Sequence, residues 1–222
     1  MENSELRARI IDAVISHKKE QRWAPEQTEP SAFAVGSLCR FLQISEKEFY
    51  QVFPSLDAVE GFVWKDWFLK VSTAVAAGAE WESFTARQRY MAFLYAQQEA
   101  ALEQRTLLLQ ELVHVPVTVT PGFLQKLKAE FHHFAKTLMN EGREKGEIAC
   151  RGKLNDGYPG LLYLHYRSVL SFFLKDESEG FERTDAYIEK SSQALFDALG
   201  KQVIDSAVDL IRFLAPWQKT SK

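Results

Sequence analysis

Apolar residues recur every three or four positions along almost the whole chain, and this spacing limits the possible folds more than any other feature. A period near 3.6 residues places such side chains on one face of an α-helix. The first example carries Leu6, Ile10, Ile11 and Val14, and Ser4 can cap the helix that holds them. No segment shows a convincing alternation of apolar and polar residues. The sequence therefore predicts an all-α protein.

About nine helices are predicted, with the short ones at the front. A polar stretch from His17 to Pro30 follows the first helix. Ser55 can cap the fourth helix, Pro121 suits the first turn of the seventh, and Gly200 is a candidate break in the last. The eight helices after the first are expected at about 34–41, 45–52, 55–77, 83–103, 105–113, 121–146, 158–175 and 182–214.

The composition predicts a globular protein of the cytoplasm. With 222 residues, 46% hydrophobic and 26% charged, the chain can bury a sizeable core and is not expected to be disordered. Cys39 and Cys150 lack CxxC spacing, and the absence of a signal peptide favours a reducing compartment. No apolar run approaches the roughly 20 residues of a membrane span. The net charge of −3 does not itself favour nucleic acid, although a small basic face can lie on an acidic body.

Residue types that carry chemistry are present, but their spacing matches no catalytic or metal-binding pattern. Glu130, His132 and His133 are close in sequence, yet they do not all share one helix face. Cys150 beside Arg151 is a lone thiol, which is more often inert than reactive. The chain contains no GxSxG, HExxH, phosphate-loop or GxGxxG motif. We therefore expect no enzymatic activity, no metal and no cofactor.

The segment 33–60, FAVGSLCRFLQISEKEFYQVFPSLDAVE, has the pattern of two short helices joined by a turn. Ser45 and Ser55 fall where serines cap the second short helix and the helix after it. The segment resembles the helix-turn-helix of the TetR family of transcriptional regulators. The apolar residues that carry the resemblance are Phe33, Val35, Leu38, Ile44, Phe49, Tyr50 and Phe53.

The resemblance implies two domains and three kinds of partner. Residues 1–54 would form the helix-turn-helix domain, and 55–222 would form a helical domain for ligand binding and dimerisation. The implied partners are operator DNA, a bulky apolar small-molecule effector and a second copy of the chain. The residues expected to contact DNA are Ser45, Lys47, Tyr50 and Gln51.

The polar residues of this segment depart from the family's pattern. The family favours Thr at the position of Ala34, Gly at Gln43 and Lys47, Thr at Glu48, and Lys at Leu56. Over 31–60, two basic residues stand against four acidic ones, a net charge of −2 that opposes binding to phosphates.

Two features of the sequence work against this acidic balance. The Ser45–Glu48 spacing is that of a capping box, so the Glu48 carboxylate is expected to turn back to the Ser45 amide. Basic residues near the first helix are also available for phosphates. They are Arg7, Arg9, Lys18, Lys19 and Arg22.

A second function stays open beside DNA binding. The stretch 172–190, FFLKDESEGFERTDAYIEK, is similar to part of a TetR-fold lipid-binding protein of ubiquinone biosynthesis. The loss of polar residues that face DNA points the same way. The alternative prediction is therefore a TetR-fold protein that has lost DNA binding and carries a lipid or another apolar small molecule.

Aromatic residues are concentrated in the middle helices, where they fill a core or line a cavity. The resemblance implies an effector pocket there, and such a lining would suit a bulky apolar ligand. Solid packing of the same rings is the competing expectation. The predicted pocket residues are Trp64, Trp67, Phe68, Phe93, Tyr95 and Phe131.

The last two long helices carry apolar stripes wider than one intramolecular contact requires. Leu161, Leu162, His165, Val169 and Phe172 lie on the first, and a similar stripe on the second includes Tyr187 and Ser191. We expect the two helices to form a symmetric four-helix interface in a homodimer. The predicted interface residues are Leu161, His165, Val169, Phe172, Ile188 and Leu195.

Overall fold

The computed structural model describes residues 2–20 and 35–200, and within them it confirms the all-α fold, with nine α-helices and no strand. Pro25, Pro30 and residues 201–214 of the predicted last helix lie outside the described residues. The helices are α1 (Glu2–Glu20), α2 (Val35–Leu42), α3 (Glu46–Val52), α4 (Leu56–Ala76), α5 (Ala86–Glu103), α6 (Arg105–Leu112), α7 (Gln125–Glu144), α8 (Tyr158–Lys175) and α9 (Glu182–Leu199).

Hydroxyl side chains fix where three of these helices begin. Ser45 caps α3 and Ser55 caps α4, each by accepting a hydrogen bond from a backbone amide three residues later. Thr85 and Gln88 form a capping box at the start of α5. The region before Thr85 forms a separate 3-10 turn at Trp81–Ser83, so α5 begins three residues later than the spacing predicted.

The described residues pack into two cores that share α4. The smaller core joins α1, α2, α3 and the start of α4, with Ile10, Phe49 and Val59 fully buried. The larger core holds the rest of α4, including Trp64 and Phe68, together with α5 to α9. One continuous helix therefore supplies residues to both cores.

A part-buried ion cluster adds a second connection between the two cores. Lys18 Nζ on α1 lies 2.9 Å from Glu60 Oε1 on α4 and 2.6 Å from Glu111 Oε1 on α6. Burial opposes the charge of Lys18, but the hydrogen bonds to Glu111 and Glu60 outweigh it and raise the pKa of Lys18. The cluster therefore ties the first helix to the larger core.

A polar turn between α8 and α9 fixes the angle at which α9 begins. The Asp176 carboxylate accepts hydrogen bonds from the backbone amides and hydroxyls of Ser178 and Thr184. Desolvation of Asp176 raises its pKa, but these four hydrogen bonds prevail and hold the pKa at about 2. The Arg105 guanidinium of α6 binds the end of α8 and this turn, donating to the Phe173 carbonyl oxygen at 2.7 Å and to the Asp176 carbonyl oxygen at 3.2 Å.

Candidate functional sites

The turn between α2 and α3 has the hydrogen bonds of a Schellman motif. The Ile44 amide donates to the Cys39 carbonyl at 3.0 Å, and the Gln43 amide donates to the Arg40 carbonyl at 3.3 Å. Gln43 has φ 54°, a left-handed conformation that glycine adopts most easily. Gln43 is the position where the sequence pattern of the TetR family favours glycine, and here a residue with a side chain takes the left-handed conformation.

Helix α3 presents one face to solvent because its other face is locked in the smaller core. Phe49 and Phe53 are fully buried there. The Tyr50 side chain is 53% exposed, and its ring contacts that of Phe49 edge-on at 5.3 Å between centroids. The four residues predicted to contact DNA, which are Ser45, Lys47, Tyr50 and Gln51, are all exposed.

The predicted capping box at the start of α3 is confirmed. The Glu48 amide donates to Ser45 Oγ at 3.2 Å, and the Ser45 amide donates to Glu48 Oε2 at 2.7 Å. The hydrogen bond from the Ser45 amide is the main cause of a lowered pKa at Glu48. The structure thus directs the Glu48 carboxylate to the helix end, whereas Ser45 contributes its hydroxyl to the cap.

The basic residues of α1 that the structure describes are engaged within the chain. The Arg7 guanidinium lies over the Phe62 ring, 4.6 Å from its centroid, and Arg9 Nη2 donates to the Leu42 carbonyl at 2.9 Å. Lys18 belongs to the ion cluster with Glu60 and Glu111. These contacts differ from the expectation that the three side chains meet phosphates. The Lys19 side chain and Arg22 lie outside the described residues.

Most of the predicted pocket residues fill the larger core instead of lining a cavity. Phe68, Phe93 and Phe131 are fully buried and in mutual ring contact, with centroids 5.5 to 6.0 Å apart. Trp64 is buried and meets the half-buried Trp67 edge-on. Tyr95 is exposed on the side of α5 that faces Asp185 and Glu189 of α9. Of the six residues, the structure brings only Phe68 to the open groove beside this core.

That groove lies between α4 and α7 and has a volume of about 330 Å³. A signal for its α7 side that the sequence analysis did not use is the spacing of Glu130, Phe134, Leu138 and Glu141, which places them on one helix face. Trp81 reaches the groove from the 3-10 turn before α5. The lining residues are Phe68, Leu69, Ser72, Thr73, Ala76, Trp81, Glu130, His133, Phe134, Thr137, Leu138 and Glu141.

Two carboxylates line the groove, and each forms an ion pair with a basic residue that is not part of the lining. Glu130 Oε1 lies 3.3 Å from Lys65 Nζ. Glu141 Oε2 pairs with Arg89, whose side chain is only 4% exposed and whose guanidinium lies 5.2 Å from the centroid of a Trp81 ring. The second oxygen of each carboxylate has no partner among the described residues.

The predicted dimer residues divide between the core and the surface. Val169 and Ile188 are buried within the single chain, and Phe172 and Leu195 are half-buried. Leu161 is 42% exposed, and so is its neighbour on the same face, Leu164, at 38%, which the spacing did not single out. The surface left open on α8 is therefore shifted by part of a turn from the predicted stripe.

His165 lies under this surface in a neutral hydrogen-bonded setting. Its Nδ1 is 3.0 Å from the Tyr90 hydroxyl, and its Nε2 is 2.8 Å from the Ser191 hydroxyl. Burial disfavours the charged imidazole and lowers its pKa to about 4. His165 therefore joins α5, α8 and α9 in its uncharged form.

Within residues 2–20 and 35–200, no three His, Cys, Asp or Glu side chains come together in a way that could hold a metal ion. The helices in the same part of the chain include none that is both long and apolar enough to cross a membrane.

Comparison with known proteins shows the family. Residues 89–214, more than half of the chain, match the family described as tetracyclin repressor-like, C-terminal domain. The chain belongs to the TetR family, as the helix-turn-helix segment predicted. No curated protein matches the chain at a significant level.

Two solved structures resemble this one over most of their length. A protein of unknown function from Rhodococcus sp. RHA1 is 15% identical, with 86% of this chain and 96% of that chain covered and a TM-score of 0.53. The dihydroxyacetone kinase operon activator DhaS is 8% identical, with 88% and 98% covered and a TM-score of 0.45. The first similarity shows a shared fold, and neither carries a function to this chain.

Proposed function

We propose that this TetR-type regulator binds operator DNA as a homodimer and responds to a small molecule in the α4–α7 groove. The single observation that carries DNA binding is the exposed face of α3. Lys47, Tyr50 and Gln51 stand out from a helix that Phe49 and Phe53 lock into the smaller core. A rigid short helix with exposed polar side chains at its free face is what entry into a major groove requires.

The proposed homodimer uses the open surface of α8 and the neighbouring part of α9. Leu161 and Leu164 are the exposed apolar residues of this surface, and Phe172 and Leu195 extend it. Val169 and Ile188 pack beneath this surface in the core, and His165 of α8 forms a hydrogen bond with Ser191 of α9. Two such surfaces related by a twofold axis would bury their leucines in a four-helix bundle and place two α3 helices on one side of the dimer.

The proposed response is a shift between two arrangements of α4. A ligand in the groove contacts Phe68, Leu69 and Thr73 of α4, and the same helix supplies Val59 to the smaller core. A ligand that binds one arrangement of α4 better changes the spacing of the two α3 helices in the dimer. Affinity for the operator then changes by the difference in ligand binding energy between the two arrangements.

One observation favours the second candidate, a TetR-fold carrier of an apolar molecule that has lost DNA binding. Glu46 and Glu48 are both exposed on α3, against the single Lys47, and Arg7 and Arg9 of α1 are engaged within the chain. Fewer free cations near α3 mean fewer counterions released from DNA on binding. The carrier predicts an apolar molecule that co-purifies with the protein and no sequence-specific DNA binding.

Binding to the chain's own promoter region, measured by fluorescence anisotropy over a range of salt concentrations, tests the proposal. A regulator binds this fragment more tightly than unrelated DNA, with an affinity that falls steeply as salt rises. Lys47→Glu weakens the binding. Equal affinity for both fragments, at low salt as well, contradicts DNA regulation and supports the carrier.

A further inference from the structure

The α4–α7 groove is long relative to its volume. Its α7 wall runs from Glu130 to Glu141, and a rise of about 1.5 Å per residue separates the two positions by about 16 Å along the helix. Its volume of about 330 Å³ is at the small end for ligand sites. A slim, extended molecule fits this shape better than a compact one.

The middle of the groove is apolar. Phe68 and Leu69 of α4 face Phe134 and Leu138 of α7, and Trp81 lies near the Glu141 end. Burial of hydrocarbon against such walls is favourable because it removes apolar surface from water. The body of the ligand is therefore expected to be apolar.

The charged groups of the lining all have one sign. Among the described residues that line the groove, Glu130 and Glu141 are acidic, none is lysine or arginine, and the remaining titratable side chain is that of His133. Their partners Lys65 and Arg89 lie outside the lining, and each ion pair uses one carboxylate oxygen. The other oxygen of each carboxylate remains an acceptor, and an ammonium group gives it a stronger, charge-assisted hydrogen bond than a hydroxyl does.

We propose that the groove selects an elongated apolar amine, protonated at neutral pH, over a neutral or anionic molecule of the same length. This inference rests on the proposed role of the groove as the ligand site. The ammonium group lies at the Glu141 end, where Glu82 also pairs with Arg89, so two carboxylates share one buried cation. The hydrocarbon extends towards Glu130.

Three probes of one chain length separate charge from hydrophobicity: decylamine, decanol and decanoate. Isothermal titration calorimetry on the full chain without DNA measures their affinities, so the result does not depend on operator binding. Decylamine is expected to bind at least about tenfold more tightly than decanoate, with decanol between them. Decanol or decanoate as the tightest ligand, or no binding of any of the three, overturns the proposal.

Two variants locate the bound amine. Thr137 is exposed in the groove one turn before Glu141, so Thr137→Arg adds a cation to the lining without disturbing the core. It is expected to reverse the order, with decanoate tighter than decylamine. Glu141→Gln is expected to weaken decylamine about five- to tenfold and to leave decanol unchanged.

Glu144→Gln is the matched control, since Glu144 is exposed on the same helix and does not line the groove. It is expected to leave all three affinities unchanged. Glu141 pairs with the buried Arg89, so Glu141→Gln is expected to reduce stability as well as amine binding. The deciding variant is therefore Thr137→Arg, which leaves this ion pair in place. An unchanged order of affinities in Thr137→Arg overturns the proposal, whatever the outcome of the promoter experiment.

Discussion

The Glu48 carboxylate of α3 accepts a hydrogen bond from the Ser45 backbone amide at 2.7 Å, and this bond holds an acidic side chain at the start of the helix. The carboxylate thus stabilises α3 while its charge opposes approach to phosphate. Both effects come from one side chain, and they can be separated because glutamine also completes a capping box.

Glu48→Gln is therefore expected to keep the helix and to strengthen DNA binding. The amide oxygen of glutamine can accept the same hydrogen bond from the Ser45 amide, while one negative charge near the phosphates is lost. We expect a severalfold gain in affinity for the promoter fragment at about 50 mM salt and a smaller gain at higher salt. Fluorescence anisotropy measures both. Glu103→Gln, at the exposed end of α5, is the control, and an equal gain there would contradict a local effect.

The left-handed Gln43 predicts a stabilising substitution. Glycine adopts φ 54° without the steric cost that a side chain meets, so Gln43→Gly is expected to raise the free energy of unfolding by about 1 kcal/mol. Urea denaturation followed by circular dichroism measures the change. Gln110→Gly, in the exposed interior of α6, is expected to lower stability by about 1 kcal/mol. A loss of stability in Gln43→Gly would contradict the assigned turn.

His165 predicts that stability depends on pH. Its pKa in the folded chain is about 4, below the ordinary 6.5, so between these values the unfolded chain binds a proton that the folded chain does not. The free energy of unfolding is therefore expected to fall, by up to about 3 kcal/mol, as pH drops from about 6.5 to 4. His165→Gln is expected to reduce this dependence.

The exposed His114 provides the control for this prediction. His114→Gln is expected to leave the pH dependence of unfolding as it is in the unsubstituted chain. Urea denaturation at several pH values measures all three proteins. The same slope in His165→Gln and in the unsubstituted chain would contradict the assigned role of His165.

The open leucines of α8 predict the oligomeric state. Light scattering at micromolar concentration is expected to give about twice the monomer mass of 25.5 kDa, because Leu161 and Leu164 become buried between two copies. The double variant Leu161→Lys/Leu164→Lys is expected to give a monomer. Leu102→Lys, at an equally exposed leucine of α5, is expected to stay dimeric. A mass near 25.5 kDa for the unsubstituted chain would contradict the dimer.

Local features of the fold could be predicted from the sequence because they depend on near neighbours. The Ser45–Glu48 capping box follows from residue type at a fixed spacing, and so does the start of α4 after Ser55. The left-handed conformation of Gln43 could not be predicted in this way, since glutamine itself gives no signal for positive φ.

The ligand groove could not be predicted in the same way, because it depends on how helices pack. Phe93 on α5 and Phe131 on α7 close against Phe68 and fill the space that a pocket lined by these rings would need. The opening lies instead on the outer side of Phe68, where Trp81 arrives from a turn that helical spacing does not cover. The exposed apolar surface of α8 differs from the predicted stripe for a similar reason, since Val169 is buried in the core of its own chain.

The most direct test of the central claim, that this chain is a DNA-binding regulator, is a genome-wide selection from fragmented source DNA at about 50 mM salt. The unsubstituted chain is expected to enrich a small set of fragments that share a sequence with twofold symmetry, because a dimer presents two α3 helices. Tyr50→Ala is expected to lose that enrichment, since Tyr50 is the most exposed aromatic side chain of α3. Failure of the unsubstituted chain to enrich any fragment over bulk DNA would contradict the proposed role as a DNA-binding regulator. The remaining candidate function would then be that of a carrier of an apolar molecule.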